Sequence, residues 1–435
     1  MSTPTTRVAF HTMGCKTNFS ETSTISREMM AHGLQQVSFR DKADVYVLNS
    51  CSVTENADKE ARKLIRQARR RNPDAAVAVI GCYAQLQPTE IAAIPGVELV
   101  VGAAEKFNLF NHLSSLKTNG RATIIQSPIE KAQSFQPSYS ATERTRAYLK
   151  IQDGCNYNCS FCTIPLARGR SRNDNIANTV NIAQQIAVTE AREVVLTGVN
   201  IGDYGSSGDE NFFQLIQALD NVNGIDRFRI SSIEPNLLTD EIIAFCAHSK
   251  KFVPHFHIPL QSGTDSILRR MKRRYDTALY SSRIEKINNL IPDCCIGVDV
   301  IVGFPGEEEK DFLATRSFLK NLDISYLHVF TFSDRVNTEA ASLNNKVSKE
   351  EKAYRSKTMH MISDEKRFEF HEKSLKQIRP VLFEQSVNGT NQGYTDNYIK
   401  VQVAADMNYE NKLLEVTLNK NHGPYMSGLV RENQF

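Results

Sequence analysis

The sequence predicts an α/β protein in three units: an N-terminal doubly wound parallel sheet, a central partial (β/α)6 barrel and a small C-terminal β-barrel. Three observations predict it. Apolar runs ending in cysteine alternate with helical patterns over residues 1–112. The strand–helix rhythm resumes at residue 146, after a segment of different composition. From residue 376 short β runs separated by turns take over.

In the first unit, VAFHTMGC (8–15), DVYVLNSC (44–51) and AVAVIGC (76–82) read as strands. Helical patterns follow each, at 20–32, 56–71 and 88–94. Sheets of this kind bind ligands beyond the carboxyl ends of their strands. Cys15, Cys51 and Cys82 each end one strand, so the topology can bring them together despite their separation in the chain. Free cysteine is usually a small buried hydrophobe. The same position in three successive units points instead to a metal site.

Residues 113–145 are rich in Ser, Thr, Pro and charge and read as a linker containing one strand, ATIIQ. In the 146–375 unit the expected strands are 147–152, 193–200, 227–233, 255–260, 296–304 and 326–332, followed by a charged helix at 345–375. Chemistry in such barrels sits at the carboxyl ends of the strands. Just after the first strand comes GCNYNCSFC, a C-x3-C-x2-C run of Cys155, Cys159 and Cys162. Four-iron clusters normally take four thiolates. A local trio with no fourth cysteine nearby leaves one iron open for a ligand. The competing readings are a zinc site, which prefers paired C-x2-C knuckles, and three unrelated buried thiols. Residues 376–435 suit a five-stranded barrel of the kind that often binds oligonucleotides.

Composition sets further bounds. The 435 residues contain no apolar stretch of membrane-spanning length and no apolar signal core at MSTPTTRVAF, so a cytoplasmic protein without a membrane partner is expected; a monomer is expected separately. Nine cysteines, an odd number, favour reduced thiols over a disulfide framework. Net charge is +3, which gives no global nucleic-acid signal. Basic clusters at 61–73 and Arg269–Arg274 fit a solvated helix face or a phosphate grip equally well. The last 60 residues, 376–435, balance six basic against six acidic side chains, so RNA binding there would rest on shape and on stacking by Tyr394, Tyr398 or Tyr425.

Several motifs together resemble the radical S-adenosylmethionine (SAM) methylthiotransferases over nearly the whole length. They are HTMGCKTNFSE, NSCSVTENADKEARKLIR, GCYAQ, KIQDGCNYNCSFCTIP, HIPLQSGTDSILRRMKRRY, GVDVIVGFPGE and GYTDNYIKV. The resemblance implies an auxiliary-cluster domain, a radical SAM core and a C-terminal TRAM domain. It implies two 4Fe-4S clusters, on Cys15, Cys51 and Cys82 and on Cys155, Cys159 and Cys162. It also implies SAM, a reducing electron donor and a sulfur source. The second trio would serve SAM homolysis, and the first would carry the sulfur that is methylated and transferred. The substrate implied is the adenosine next to the anticodon of tRNA. GCKTNFSE looks most like the class acting on N6-threonylcarbamoyladenosine. The alternatives are isopentenyladenosine tRNA, an aspartate of a small-subunit ribosomal protein, or a non-catalytic iron–sulfur tRNA-binding module.

Candidate SAM contacts follow from strand ends. Asn200 closes LTGVN, Ser232 and Glu234 lie in RISSIEP, and Gln261 and Asp299 belong to the next two strands. Each could equally be an ordinary polar strand end. His255 and His257 alternate on one strand and read as a structural pair. Cys246, Cys294 and Cys295 read as core.

Overall fold

The computed structural model describes residues 5–52, 55–116, 121–140, 145–206, 208–404 and 406–431. The N-terminal sheet has six parallel strands. Their spatial order is Gln35–Val37, Arg7–Thr12, Val45–Ser50, Ala76–Gly81, Val97–Val101 and Thr123–Ile125. Helices cover both faces, so the strands are apolar on both sides. Val47, Ala78, Ile80 and Leu99 pack with Ile25 and Met29 of the helix Lys16–Ala31. Tyr46, Leu48, Val77 and Val79 pack with Ala61, Leu64, Ile65 and Ala68. Those four sit at helical spacing on Glu55–Arg71. That helix starts with Glu55 and Asp58 and ends on Arg69, Arg70 and Arg71, which suits the backbone dipole at both ends.

The central unit is a seven-stranded open barrel. Ser138–Tyr139, Arg146–Lys150, Glu193–Thr197 and Arg227–Ile230 form one sheet, and His255–Gln261, Cys295–Val302 and Tyr326–Thr331 the other. Bridges Phe228–Phe252 and Ser232–His257 join them. All pairings are parallel except that of the short first strand. The 113–145 segment, expected as a linker with one strand, thus places one edge strand, Thr123–Ile125, in the N-terminal sheet and another, Ser138–Tyr139, in the first central sheet. Cys246, Cys294 and Cys295 are buried, as expected.

The C-terminal unit is a closed barrel of five strands. It docks on the amino ends of the central strands, opposite the cysteine-bearing ends. Arg146 pairs with Glu384 at 2.5 Å, Arg229 donates to the Asp396 carbonyl at 3.0 Å, and Arg379 pairs with Asp293 at 3.2 Å. Glu193 lies under this joint. Burial opposes its ionisation, but Arg229, Arg146 and Arg227 hold its pKa at about 2. Tyr394 and Tyr398 stack on one another at 5.0 Å and lie under Arg146 and Arg229. Their rings are therefore largely committed to the joint. No helix among the described residues is long and apolar enough to cross a membrane.

Candidate active site

Cys155, Cys159 and Cys162 lie in a loop that leaves the first central strand. Gly154 opens it at φ +70°, where a Cβ would stand 2.0 Å from the Arg170 carbonyl oxygen. The Cys155 N–H donates to the Gly169 carbonyl at 3.0 Å and the Cys162 N–H to the Cys159 carbonyl at 3.1 Å. Each sulfur accepts one N–H: Tyr157 on Cys155 at 3.4 Å, Ile164 on Cys162 at 3.4 Å, and Arg273 Nη1 on Cys159 at 3.1 Å. Burial pushes the free thiols of Cys155 and Cys162 up to about 11 and about 12. Thiolates there therefore need a positive partner beyond the N–H donors, and iron supplies one. The donor set fits a cluster held by three thiolates.

Arg273 and Arg274 belong to the basic run read from sequence as a solvated face or a phosphate grip. The structure gives them another task. Arg273 spans Cys159 and Glu234. Arg274 donates to the Asn156 carbonyl at 3.1 Å and lies 4.0 Å over the Tyr157 ring. Lys272 pairs with Glu339, and Arg270 donates to the Gly306 carbonyl at 2.8 Å. The run clamps the cysteine loop to the barrel.

Cys15, Cys51 and Cys82 end the adjacent strands Arg7–Thr12, Val45–Ser50 and Ala76–Gly81. Asn18 ties the first two ends, donating to the Met13 carbonyl at 3.0 Å and the Ser50 carbonyl at 3.2 Å. Ser50 ties the third, donating to the Ile80 carbonyl at 2.6 Å. Gly14, at φ +84°, lies so close to Cys51 that a Cβ would stand 2.7 Å from the Cys51 Cβ. The topology therefore does bring the three cysteines to one sheet edge.

The two trios meet across Arg168. The helix Cys82–Leu86 packs on Ile164–Arg168, the helix that follows Cys162. Arg168 hydrogen-bonds Cys82 and Asp153, and it reaches Asn18 and Glu21 of the auxiliary side at 2.5 and 3.0 Å. Glu21 also pairs with Lys106 at 2.6 Å and Lys150 at 3.1 Å, and Asp153 with Arg172 at 3.0 Å. Burial opposes ionisation of Glu21, yet these cations hold its carboxyl well below the usual range. Four cations thus surround two carboxylates. Such a buried surplus of positive charge calls for further anions, and the sulfurs of Cys15 and Cys82 stand beside it. Asn18, Glu21 and Arg168 were not singled out from sequence, and Arg273 was read there only as part of a basic run. Asn18 and Glu21 lie inside GCKTNFSE and Arg273 inside HIPLQSGTDSILRRMKRRY, whereas Arg168 falls three residues past the end of KIQDGCNYNCSFCTIP.

The candidate SAM contacts divide. Gln261 and Asp299 line a cavity of about 230 Å³ together with Cys162, Phe161 and Phe330. Gln261 sits at a strand irregularity with φ +68°, a conformation uncommon for a non-glycine residue. Asn200 is buried, and neither side-chain oxygen nor nitrogen has a partner among the described residues. A buried amide left open in this way fits a ligand it has yet to meet. Glu234 is engaged by Arg273. Ser232 sits at the bridge to His257. Asp299 accepts from His257 Nε2 at 2.7 Å and faces His328 Nδ1 at 3.2 Å. His255 stands apart from this group, bonded to the Tyr326 hydroxyl at 3.2 Å.

Comparison with known proteins agrees with this geometry. Residues 7–102 match the Uncharacterized protein family UPF0004, and residues 149–319 match the Radical SAM superfamily. The threonylcarbamoyladenosine tRNA methylthiotransferase of Bacillus subtilis is 39% identical over 97% of this chain and 95% of its own. Its Aquifex aeolicus counterpart is 38% identical, over 91% and 96%. A tRNA-2-methylthio-N(6)-dimethylallyladenosine synthase of Endomicrobium trichonymphae is 31% identical, over 94% and 96%. In fold, the chain is similar to a radical S-adenosylmethionine methyltransferase from Kitasatospora setae solved with cobalamin and a 4Fe-4S cluster. The TM-score is 0.56 at 13% identity, over 89% of this chain and 80% of that one.

Proposed function

The chain belongs to the radical SAM tRNA methylthiotransferases, and we infer from that premise that it adds a methylthio group to carbon 2 of N6-threonylcarbamoyladenosine next to the anticodon. The observation that carries the reading is the pairing of two cysteine trios across Arg168. A single electron-transfer or SAM-cleaving site would have no use for the second trio.

When bound, two 4Fe-4S clusters and SAM supply the electron, the radical that activates carbon 2 and the methylthio group. The chain's own residues would hold and orient them. Cys155, Cys159 and Cys162 would ligate one cluster, and Cys15, Cys51 and Cys82 the other. The N–H donors on the sulfurs of Cys155, Cys159 and Cys162 favour their thiolate forms. Asn200, Gln261 and Asp299 would contact SAM, with Ser232 and Glu234 at neighbouring strand ends. Glu234 would also fix Arg273 against Cys159. The reading calls for a reducing electron donor and a sulfur source as partners, in a monomer working in the cytoplasm.

The test is mass spectrometry of tRNA nucleosides from cells with and without this gene. Loss of the 2-methylthio form of threonylcarbamoyladenosine is expected. Loss of the methylthio form of isopentenyladenosine instead would move the enzyme to the other tRNA class. Reconstituted protein that releases no 5′-deoxyadenosine from SAM under reduction would leave only a binding module.

A further inference from the structure

We propose that the cavity between the central barrel and the C-terminal barrel, walled by His328 and Lys400, receives the carboxylate of the substrate's threonylcarbamoyl group. The proposal rests on the functional reading above and deepens it. The cavity measures about 220 Å³ and is lined by Tyr326, His328, Arg367, Tyr398 and Lys400, among others. That is below the roughly 300–1,000 Å³ of pockets that enclose drug-sized ligands, and it suits a small acyl amino-acid group better than a whole nucleotide.

Charge argues for an anion. The described lining holds an arginine, a lysine and two histidines, and no carboxylate. Arg367 pairs with the exposed Asp364 at 3.2 Å, and Lys400 forms no ion pair among the described residues. His328 uses Nδ1 on Asp299, which leaves Nε2 for an occupant of the cavity. The same Asp299 oxygen takes the His257 Nε2, so one carboxylate orients both imidazoles.

Position argues for the base substituent. Asp299 lines the neighbouring cavity, with Cys162 and Gln261, and His328 lines this one. The Asp299–His328 contact, at 3.2 Å, joins the two linings. One adenine could therefore present carbon 2 on the cluster side and its N6 group on the cationic side. An isopentenyl group carries no charge and would leave these cations desolvated without a partner, which disfavours it.

A backbone phosphate offers the same oxyanion chemistry, so the experiment separates the two sources. Full-length reconstituted enzyme is titrated with two anticodon stem-loop RNAs, identical except that one carries threonylcarbamoyladenosine and the other plain adenosine. Wild type is expected to favour the modified RNA. His328→Gln and Lys400→Gln should each cut that preference about tenfold, with binding of the plain RNA unchanged. Lys400→Arg should restore it. An equal loss on both RNAs would overturn the assignment and place a phosphate here. Undiminished preference in both glutamine variants, which lie in different domains, would overturn it outright. A wild-type enzyme that fails to methylthiolate the modified RNA would sink the functional reading itself.

Discussion

The two cysteine trios are built in opposite ways. Cys155, Cys159 and Cys162 come from one loop, whose own N–H groups reach two of the three sulfurs. Cys15, Cys51 and Cys82 come from three strands, and only the sheet order and the ties through Asn18 and Ser50 assemble them. The loop is clamped by the buried side chain of Arg273 and by the exposed Arg274. The strand-end site instead leans on a buried ionic network centred on Glu21 and Arg168. A local motif can thus be held by a few contacts, whereas a site made from distant segments depends on the packing of two domains.

That contrast can be broken most directly through the cysteines. Replacing Cys155, Cys159 and Cys162 with alanine should abolish 5′-deoxyadenosine release while leaving about half of the iron bound. Cys51→Ala should keep SAM cleavage and lose methylthiolation. A triple variant that retains all its iron, or none, would show that the trios are not separate sites.

The next effect is on stability. Arg168→Met leaves Glu21 and Asp153 buried with fewer cations, and a loss of about 3–5 kcal/mol in denaturant unfolding is expected. Arg273→Gln should cost less stability and should alter the electron-paramagnetic signature of the Cys155 site alone. Equal spectral changes at both clusters would contradict the division.

Acid should act through the other domain joint. Glu193 is held at about 2, against an ordinary value of 4.5. Its stabilisation is complete above about pH 4.5 and is lost as pH falls through about 2, a contribution of about 3 kcal/mol. The gap in urea midpoint between wild type and Glu193→Gln should therefore narrow from about pH 6 to about pH 3. A gap independent of pH would remove Glu193 from the acid response.

The smallest effect concerns RNA. Arg66 and Arg70 stay exposed on the helix Glu55–Arg71, while Arg62 and Arg69 are spent on Glu90 and the Ala75 carbonyl. If both exposed arginines grip phosphates, charge reversal at either should raise the tRNA dissociation constant and flatten its salt dependence by about one unit. An unchanged slope would make the helix face merely solvated.

Much of this was legible in the sequence for a physical reason. Short continuous apolar runs and helical runs of period 3.6 are local signals, so the strand ends carrying Cys15, Cys51 and Cys82 and the loop of Cys155, Cys159 and Cys162 could be placed by their spacing alone. The sequence by itself also determined that six thiols fall at carboxyl ends of parallel strands, where such folds bind ligands. Only the tertiary structure decided which charges serve them. Arg273 and Arg274 read as part of a basic run, and their partners Glu234 and Asn156 are remote in the chain. Arg168, Glu21 and Lys106 become a network only when two domains close over them, because ion pairs have no sequence period. Likewise Tyr394 and Tyr398, candidates for stacking on RNA, were claimed by Arg146 and Arg229 once the C-terminal barrel docked on the amino ends of the central strands.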